Sequence, residues 1–414
     1  MNKIKKYIDS DSFFSTLFVF LALVVLPLLL SFNFFVPLKN AFYDFAMTDI
    51  NYAKLRSPEK ELADTNIVLI DISGISNSGL ADLINIINSN SPRVIGIDKE
   101  LVPDEDSSAN VNLHKALNNV NRLVLSNKLI YNKKTGQFDS ISQSGDLFRN
   151  KCIFGFTNQI SISDKSHETV RSFITYTKVS LRAINSVNQD TIVHPFPVEV
   201  VLLFDPEKVQ KLYERNNEEE IINFRGYFNK YFFIAGEQVL NREFNPNLFA
   251  GKILLLSYFD PFNSSPLFGY KYYSPLDSNY TGKSFPDMYG IEIHANVISM
   301  IINENYFNIV PSWLAIVFAF ILCYFMIAAY KYIDEKYQTW YELLSLVIFV
   351  VISLLLLAAN YYSYHLLRLD LNLNFTLFAI ILASPIYEAY TKSIKPLTRR
   401  IFKLKNRGDY EINS

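Results

Sequence analysis

The stretch "FFSTLFVFLALVVLPLLLSFNFFVPL", residues 13–38, runs for 26 residues without a charge. About 20 apolar residues in a helix cross a bilayer, because in hydrocarbon the backbone must satisfy its own hydrogen bonds. A cleaved signal sequence has a shorter apolar region ending in small residues, whereas this one ends in "NFFVPLKN". The segment therefore reads as an uncleaved anchor. Three more apolar segments follow late in the chain, at residues 312–330, 343–362 and 371–390. The second is almost purely aliphatic. Asn372, Asn374, Ser384, Pro385 and Glu388 interrupt the last, with Glu388 near its end, where a carboxylate is less costly than at the bilayer centre.

Lysine and arginine set the orientation. Lys3, Lys5 and Lys6 precede the first segment, Lys331 and Lys336 sit in the loop 331–342, and the tail 391–414 is rich in both. The loop 363–370 offers only Arg368. This predicts four transmembrane helices, with both termini (1–12 and 391–414) cytoplasmic and residues 39–311 outside.

The outer segment is long enough for a hydrophobic core of its own. "NIVLIDIS" (66–73) reads as a buried strand. "SGLADLINIINSN" follows, with Leu80, Leu83, Ile84 and Ile87 at helical spacing, and "RVIGIDKEL" is a second strand. Strand, helix, strand at this interval predicts a βαβ unit. "VNLHKALNNV" and "RLVLSNKLIY" repeat helix then strand, and "EIINFRG" and "GKILLLSYFD" read as two more strands. Between residues 140 and 217 the pattern suggests strands at 152–156 and 173–179 and a helix at 180–186. The fold class is an α/β outer domain with a mixed sheet, plus the four membrane helices.

The formal net charge is −1, and no basic domain exists to meet nucleic acid. Two cysteines, Cys152 and Cys323, fit neither a disulfide framework nor a cysteine zinc site. There is no phosphate loop, H-E-x-x-H, dinucleotide fingerprint or G-x-S-x-G, so no catalytic group and no cofactor is implied.

Candidate ligand groups remain. Asp71, Asp98 and Asp260 each end an apolar strand, where open α/β sheets bind ligands. With Asp104, Glu105 and Asp106 nearby, convergence of Asp71 and Asp98 from adjacent strands would suit a hard cation. Their simpler role is capping turns. Arg225 in "INFRG" either binds an anion or pairs with a structural carboxylate. In "MYGIEIHANVISMIINENYF", Gly290 opens a helix with Ile291, Ala295, Ile298 and Ile302 on one stripe and Glu292, Asn296, Ser299 and Asn303 on another. His294 is offset from both and has no histidine or cysteine within a turn, which favours hydrogen bonding inside the domain over metal ligation.

Taken in order, "NIVLIDIS", "RVIGIDKELVPDED", "HETVRSF", "INFRG", "FAGKILLLSYF", "YYSPL" and "MYGIEIHANVISMII" resemble the blocks of the CHASE type-two sensory domains. So does the plan of one helix, an outer domain and three clustered helices. The resemblance implies an extracytoplasmic sensor in the cytoplasmic membrane of a bacterium. Members of that family are joined to cytoplasmic output domains, whereas here only a short basic stretch follows Tyr390. The expectation is therefore a sensor of an unknown extracytoplasmic ligand acting through a separate effector protein, with self-association left open. The other readings are a non-sensing envelope subunit and an extracytoplasmic metal-dependent hydrolase.

Overall fold

In the computed structural model the described residues are 10–30, 62–132, 134, 136–148, 152–158, 169–182, 188–260, 270–277 and 286–397. They fall into two units, one within Tyr52–Phe307 and one formed by the first helix and the residues from Asn308 onward. Residues 31–38 of the first apolar segment and most of the tail lie outside the described residues.

The α/β unit is built on β1 (Asp64–Asp71), β2 (Val94–Asp98), β3 (Leu123–Asn132), β4 (Gln137–Gln143), β5 (Ile153–Phe156), β6 (Tyr231–Ala235) and β7 (Ile253–Ser257). The sheet order is β6-β1-β7-β2-β3-β4, with β5 also paired to β3. Only β4 runs antiparallel. The mixed sheet expected from the sequence is present. Ile67 to Ile70 of β1 and Ile253 to Leu256 of β7 are almost wholly buried. Continuous apolar runs of this kind suit central parallel strands covered on both faces.

On one face Val68, Ile70, Ile95, Ile97, Leu254 and Leu256 share a core with α2 (Asn77–Ser89) and α3 (Ser107–Asn118). Ser76 caps α2 by accepting from Gly79 N, and Asp106 caps α3 by accepting from Ser108 N. The opposite face carries α4 (Phe196–Phe204) and, later in the chain, the long buried helix of "IEIHANVISMII". Between them come α5 (Pro206–Glu214) and the single turn α6 (Gly236–Leu240). The buried helix, α7 (Gly290–Ile302), completes a three-layer sandwich.

Two local expectations are corrected. Residues 180–182 belong to the strand Thr177–Arg182, paired antiparallel with Asn188–Val193, rather than to a helix. Their β-branched and aliphatic neighbours Thr177, Val179 and Leu181 alternate, which favours a strand over a helix turn. "EIINFRG" forms a strand only over Glu219–Ile221, and its last residues are drawn into the loop that docks α7.

The second unit contains α1 (Ser10–Leu30), α8 (Ser312–Lys336), α9 (Tyr341–Tyr362) and α10 (Asn374–Ala389). Val19, Cys323, Met326, Tyr330, Leu356 and Ala379 belong to one apolar cluster drawn from all four helices. Asp11 on α1 takes ion pairs from Lys331 on α8 and Lys395 beyond α10. Two helical stretches, Ser312–Lys336 and Gln338–Leu367, are long and apolar enough to cross a membrane. Both leave most of that apolar surface outside the protein core, as at Leu346, Val350, Leu354 and Leu355 of α9. A helix apolar on every side and largely uncovered matches hydrocarbon rather than a water-facing core position. The count reached by length and composition among the described residues is thus two rather than four.

Candidate functional site

Parallel strands end together, and the register places Asp71, Ser257 and Asp98 level on β1, β7 and β2. Convergence of Asp71 and Asp98 required adjacent strands, and their strands are not adjacent: β7 lies between them. Two strand spacings of roughly 4.8 Å separate them. Their carboxylates also have different duties. Asp71 Oδ1 accepts from Ser73 N at 2.8 Å and Phe259 N at 3.1 Å, so it organises the turns that leave β1 and β7. Asp260 contributes its backbone carbonyl, which accepts from the Tyr289 hydroxyl at 2.8 Å. Asp104, Glu105 and Asp106 form the exposed entry to α3. Among the described residues no three His, Cys, Asp or Glu side chains are grouped to hold a metal.

Arg225 is structural. Its Nε donates to Ser299 Oγ at 2.9 Å, its Nη1 to Leu62 O at 2.6 Å, and its Nη2 lies 3.9 Å from Asp64 Oδ2. Ser299 Oγ and Asn303 Nδ2 donate to the same Asp64 oxygen at 2.7 and 2.9 Å. Asn296 Oδ1 accepts from Arg225 N and Gly226 N. Glu292 accepts from Phe228 N and Tyr289 N, at 2.7 and 2.8 Å. Burial nevertheless pushes the Glu292 carboxyl up to about 7. The polar stripe read from the sequence is thus the seam that docks α7 to the start of β1 and to residues 225–228.

Asp98 opens into a cleft of about 610 Å³ at the carboxyl edge of the sheet. Asn127 and Lys128 of β3, Ser257 of β7, Tyr272, and Gly290 and His294 of α7 line it. The Asp98 side chain is 18% exposed. Ser257 Oγ donates to the Asp98 carbonyl at 3.0 Å and stands 3.5 Å from Oδ2, a weak contact for a carboxylate. His294 Nε2 is 3.9 Å from the same Oδ2. Among the described residues the hydrogen bond expected for His294 is not found. Its ring, 4% exposed, packs on Phe196 with centroids 5.3 Å apart and finds no hydrogen-bond partner among the described residues. Asn127 Oδ1 is likewise buried and accepts no hydrogen bond among the described residues.

Burial pushes the Asp98 carboxyl up to about 6, against the pull of Lys128 and Ser257, and pushes the His294 imidazole down to about 3. These shifts act on stability in opposite directions. Folded Asp98 holds a proton that the unfolded chain releases between pH 3.8 and about 6, so its contribution is lost as pH rises through about 6. Folded His294 refuses a proton that the unfolded chain takes up below about 6.5, so its contribution is lost as pH falls from about 6.5 towards 3. Asp98→Asn leaves the histidine effect unopposed. Its stability relative to wild type should fall by about 2 kcal/mol between pH 6.5 and 4.5, at 1.36 kcal/mol per pKa unit. Chemical denaturation across that range checks it, and parallel curves for the two proteins would mean that the Asp98 carboxyl is not raised by burial.

Of the five sequence candidates, Asp98 and His294 meet at the cleft, while Asp71, Asp260 and Arg225 do not line it. Asn127, Lys128, Ser257 and Tyr272 escaped sequence reasoning. A signal existed for two of them: "LVLSNKLIY" places Asn127 and Lys128 inside an otherwise apolar strand.

The chain thus combines a three-layer α/β sandwich, with a polar cleft at its strand ends, and long apolar helices. The chain belongs to the CHASE2 domain family, whose model matches residues 19–329. That family comprises extracytoplasmic sensory domains. No curated protein and no solved structure matches the chain.

Proposed function

We propose that this protein is a membrane-anchored sensor. Its α/β unit binds a small polar molecule outside the cytoplasmic membrane and passes the change to a separate effector protein. The observation that carries this is the cleft floor. Asp98 and His294 meet there, the imidazole without a hydrogen-bond partner among the described residues and the carboxylate with only a long contact to Ser257, an arrangement that favours an incoming polar ligand. His294 stands on α7, and residues 303–311 alone join α7 to α8 in the chain. A ligand that favours one position of α7 therefore has a short covalent route inward, limited by its differential affinity for the two states.

In this reading four helices cross the membrane and both termini are cytoplasmic. The loop 331–342 and the basic tail 391–414 then face anionic lipid and the effector. Fusions of a reporter after residues 300, 337, 367 and 414 should report outside, inside, outside and inside. A fusion at 367 that reported inside would remove one of the four crossings.

The functional test is a thermal-shift screen of the full chain in lipid nanodiscs against ions, amino acids, nucleotides and sugars. A class-specific stabilisation that Asp98→Asn abolishes is the expected result. No shift from any class would favour a non-sensing envelope subunit.

A further inference from the structure

The cleft has a chemistry of its own, and the inference from it rests on the sensing reading above. Its charges balance. Asp98 and Glu100 face Lys99 and Lys128 across the same cavity. Ser142 Oγ donates to Glu100 Oε1 at 3.1 Å, and Lys99 Nζ lies 5.0 Å above the Tyr258 ring. An anionic ligand would bring its charge to the carboxylate of Asp98, and a cationic one would meet two lysines. Either would shed water without a clear gain.

The floor offers something different. Asp98 supplies acceptor oxygens and neutral His294 one donor and one acceptor, both largely buried. Hydroxyl groups on neighbouring carbons both donate and accept, so they can satisfy a carboxylate and an imidazole together. The lip is aromatic. Tyr258 and Tyr270 stand with ring centroids 5.4 Å apart, and Tyr272 lies over the first turn of α7, its ring 3.3 Å from where a side chain at Gly290 would begin. Tyr270 and Tyr272 are 48% and 36% exposed, which presents flat apolar surface to a ligand entering the cleft. A volume of about 610 Å³ falls in the ordinary range for small-molecule sites.

We propose that the cleft binds an uncharged sugar of one or two pyranose rings, its vicinal hydroxyls on Asp98 and His294 and its C–H face on the tyrosine lip. Saturation-transfer difference NMR tests this with the full chain in nanodiscs, since a sugar-headed detergent would compete. The sugar probes are glucose, galactose, N-acetylglucosamine, maltose and lactose. Glycine, glutamate and lysine form the charged and zwitterionic arm. Ring-proton signals are expected from at least one sugar, weakened about tenfold or more in Asp98→Asn and in Tyr272→Ala. Both variants are to be matched to wild type by thermal unfolding, so that lost binding is not lost folding. Signals from the charged arm alone, abolished by Asp98→Asn, would overturn the sugar and leave the sensing cleft standing. Sugar signals unchanged in both variants would place binding elsewhere and overturn the proposal. Silence from every probe would count against the sugar and against the sensing reading together.

Discussion

Asn296→Leu should lower the stability of the α/β unit by about 4 kcal/mol, one of the largest losses available from a single polar residue. Leucine matches the side chain in bulk but not in chemistry. The Asn296 amide is completely buried, and its Oδ1 takes Arg225 N at 2.6 Å and Gly226 N at 3.2 Å. Its Nδ2 donates to Gly226 O and Glu292 O at 2.9 and 2.8 Å. Four backbone groups thus lose a partner at once in a site that water does not reach. Each buried group left unpaired costs roughly 1–3 kcal/mol, part of which relaxation recovers. For a unit of this size the melting temperature should fall on the order of 10 °C. Asn303→Leu at the exposed end of the same stripe loses one bond to Asp64 and should cost only about 1 kcal/mol. Differential scanning fluorimetry of both variants decides the matter. Equal losses would mean that the seam does not concentrate at Asn296.

That seam also marks the limit of what could be read from the chain. The two stripes of α7 follow from a 3.6-residue period, and they hold: Ile291 and Ile298 are buried, and Glu292, Asn296 and Ser299 bond the chain opposite. Strands β1, β2, β3 and β7 were legible for a similar reason, since strands buried on both faces show as short apolar runs between turn signals, four consecutive aliphatics in β1 and β7 and three or more apolar positions in β2 and β3. Their order was not. An apolar run says that a strand is covered but not which strand lies beside it, and β7 joins the sheet from far along the chain to separate Asp71 from Asp98. The same blindness hid the cleft. Lys128, Ser257 and His294 come from three distant segments, and only the strand register together with the packing of α7 on the sheet brings them to one edge. Arg225 was open to two readings because a guanidinium serves an anion and a structural carboxylate equally well. The bonds to Ser299 and Leu62 O decide for structure.

Gly155→Ala should be more damaging still, destabilising the unit by upwards of about 4 kcal/mol, because the methyl group meets backbone. A Cβ at Gly155 would lie 2.5 Å from Phe196 Cα, 2.8 Å from Phe196 N and 3.2 Å from the Pro195 carbonyl carbon. None of these atoms can swing aside as a side chain would, so α4 must lift from β5. Phe156 N donates to His194 O beside this contact, and that bond would stretch with it. Two other glycines calibrate the effect. At Gly96 the obstacles are side chains, Phe196 Cζ at 2.8 Å and Leu255 Cδ2 at 3.1 Å, so Gly96→Ala should cost about 1–3 kcal/mol. At Gly74 no atom lies within 4 Å, but φ is +73°, so Gly74→Ala should cost only about 1 kcal/mol of backbone strain. The Phe196 ring that Gly96 touches is also the ring that packs against His294. Gly96→Ala should therefore weaken ligand binding at the cleft out of proportion to its effect on stability, whereas Gly74→Ala should leave binding unchanged. Unfolding curves paired with binding curves for the three variants test the order Gly155 > Gly96 > Gly74. If Gly155→Ala melted with wild type, the close seating of α4 on β5, and the route from α4 through Phe196 to His294, would both be wrong.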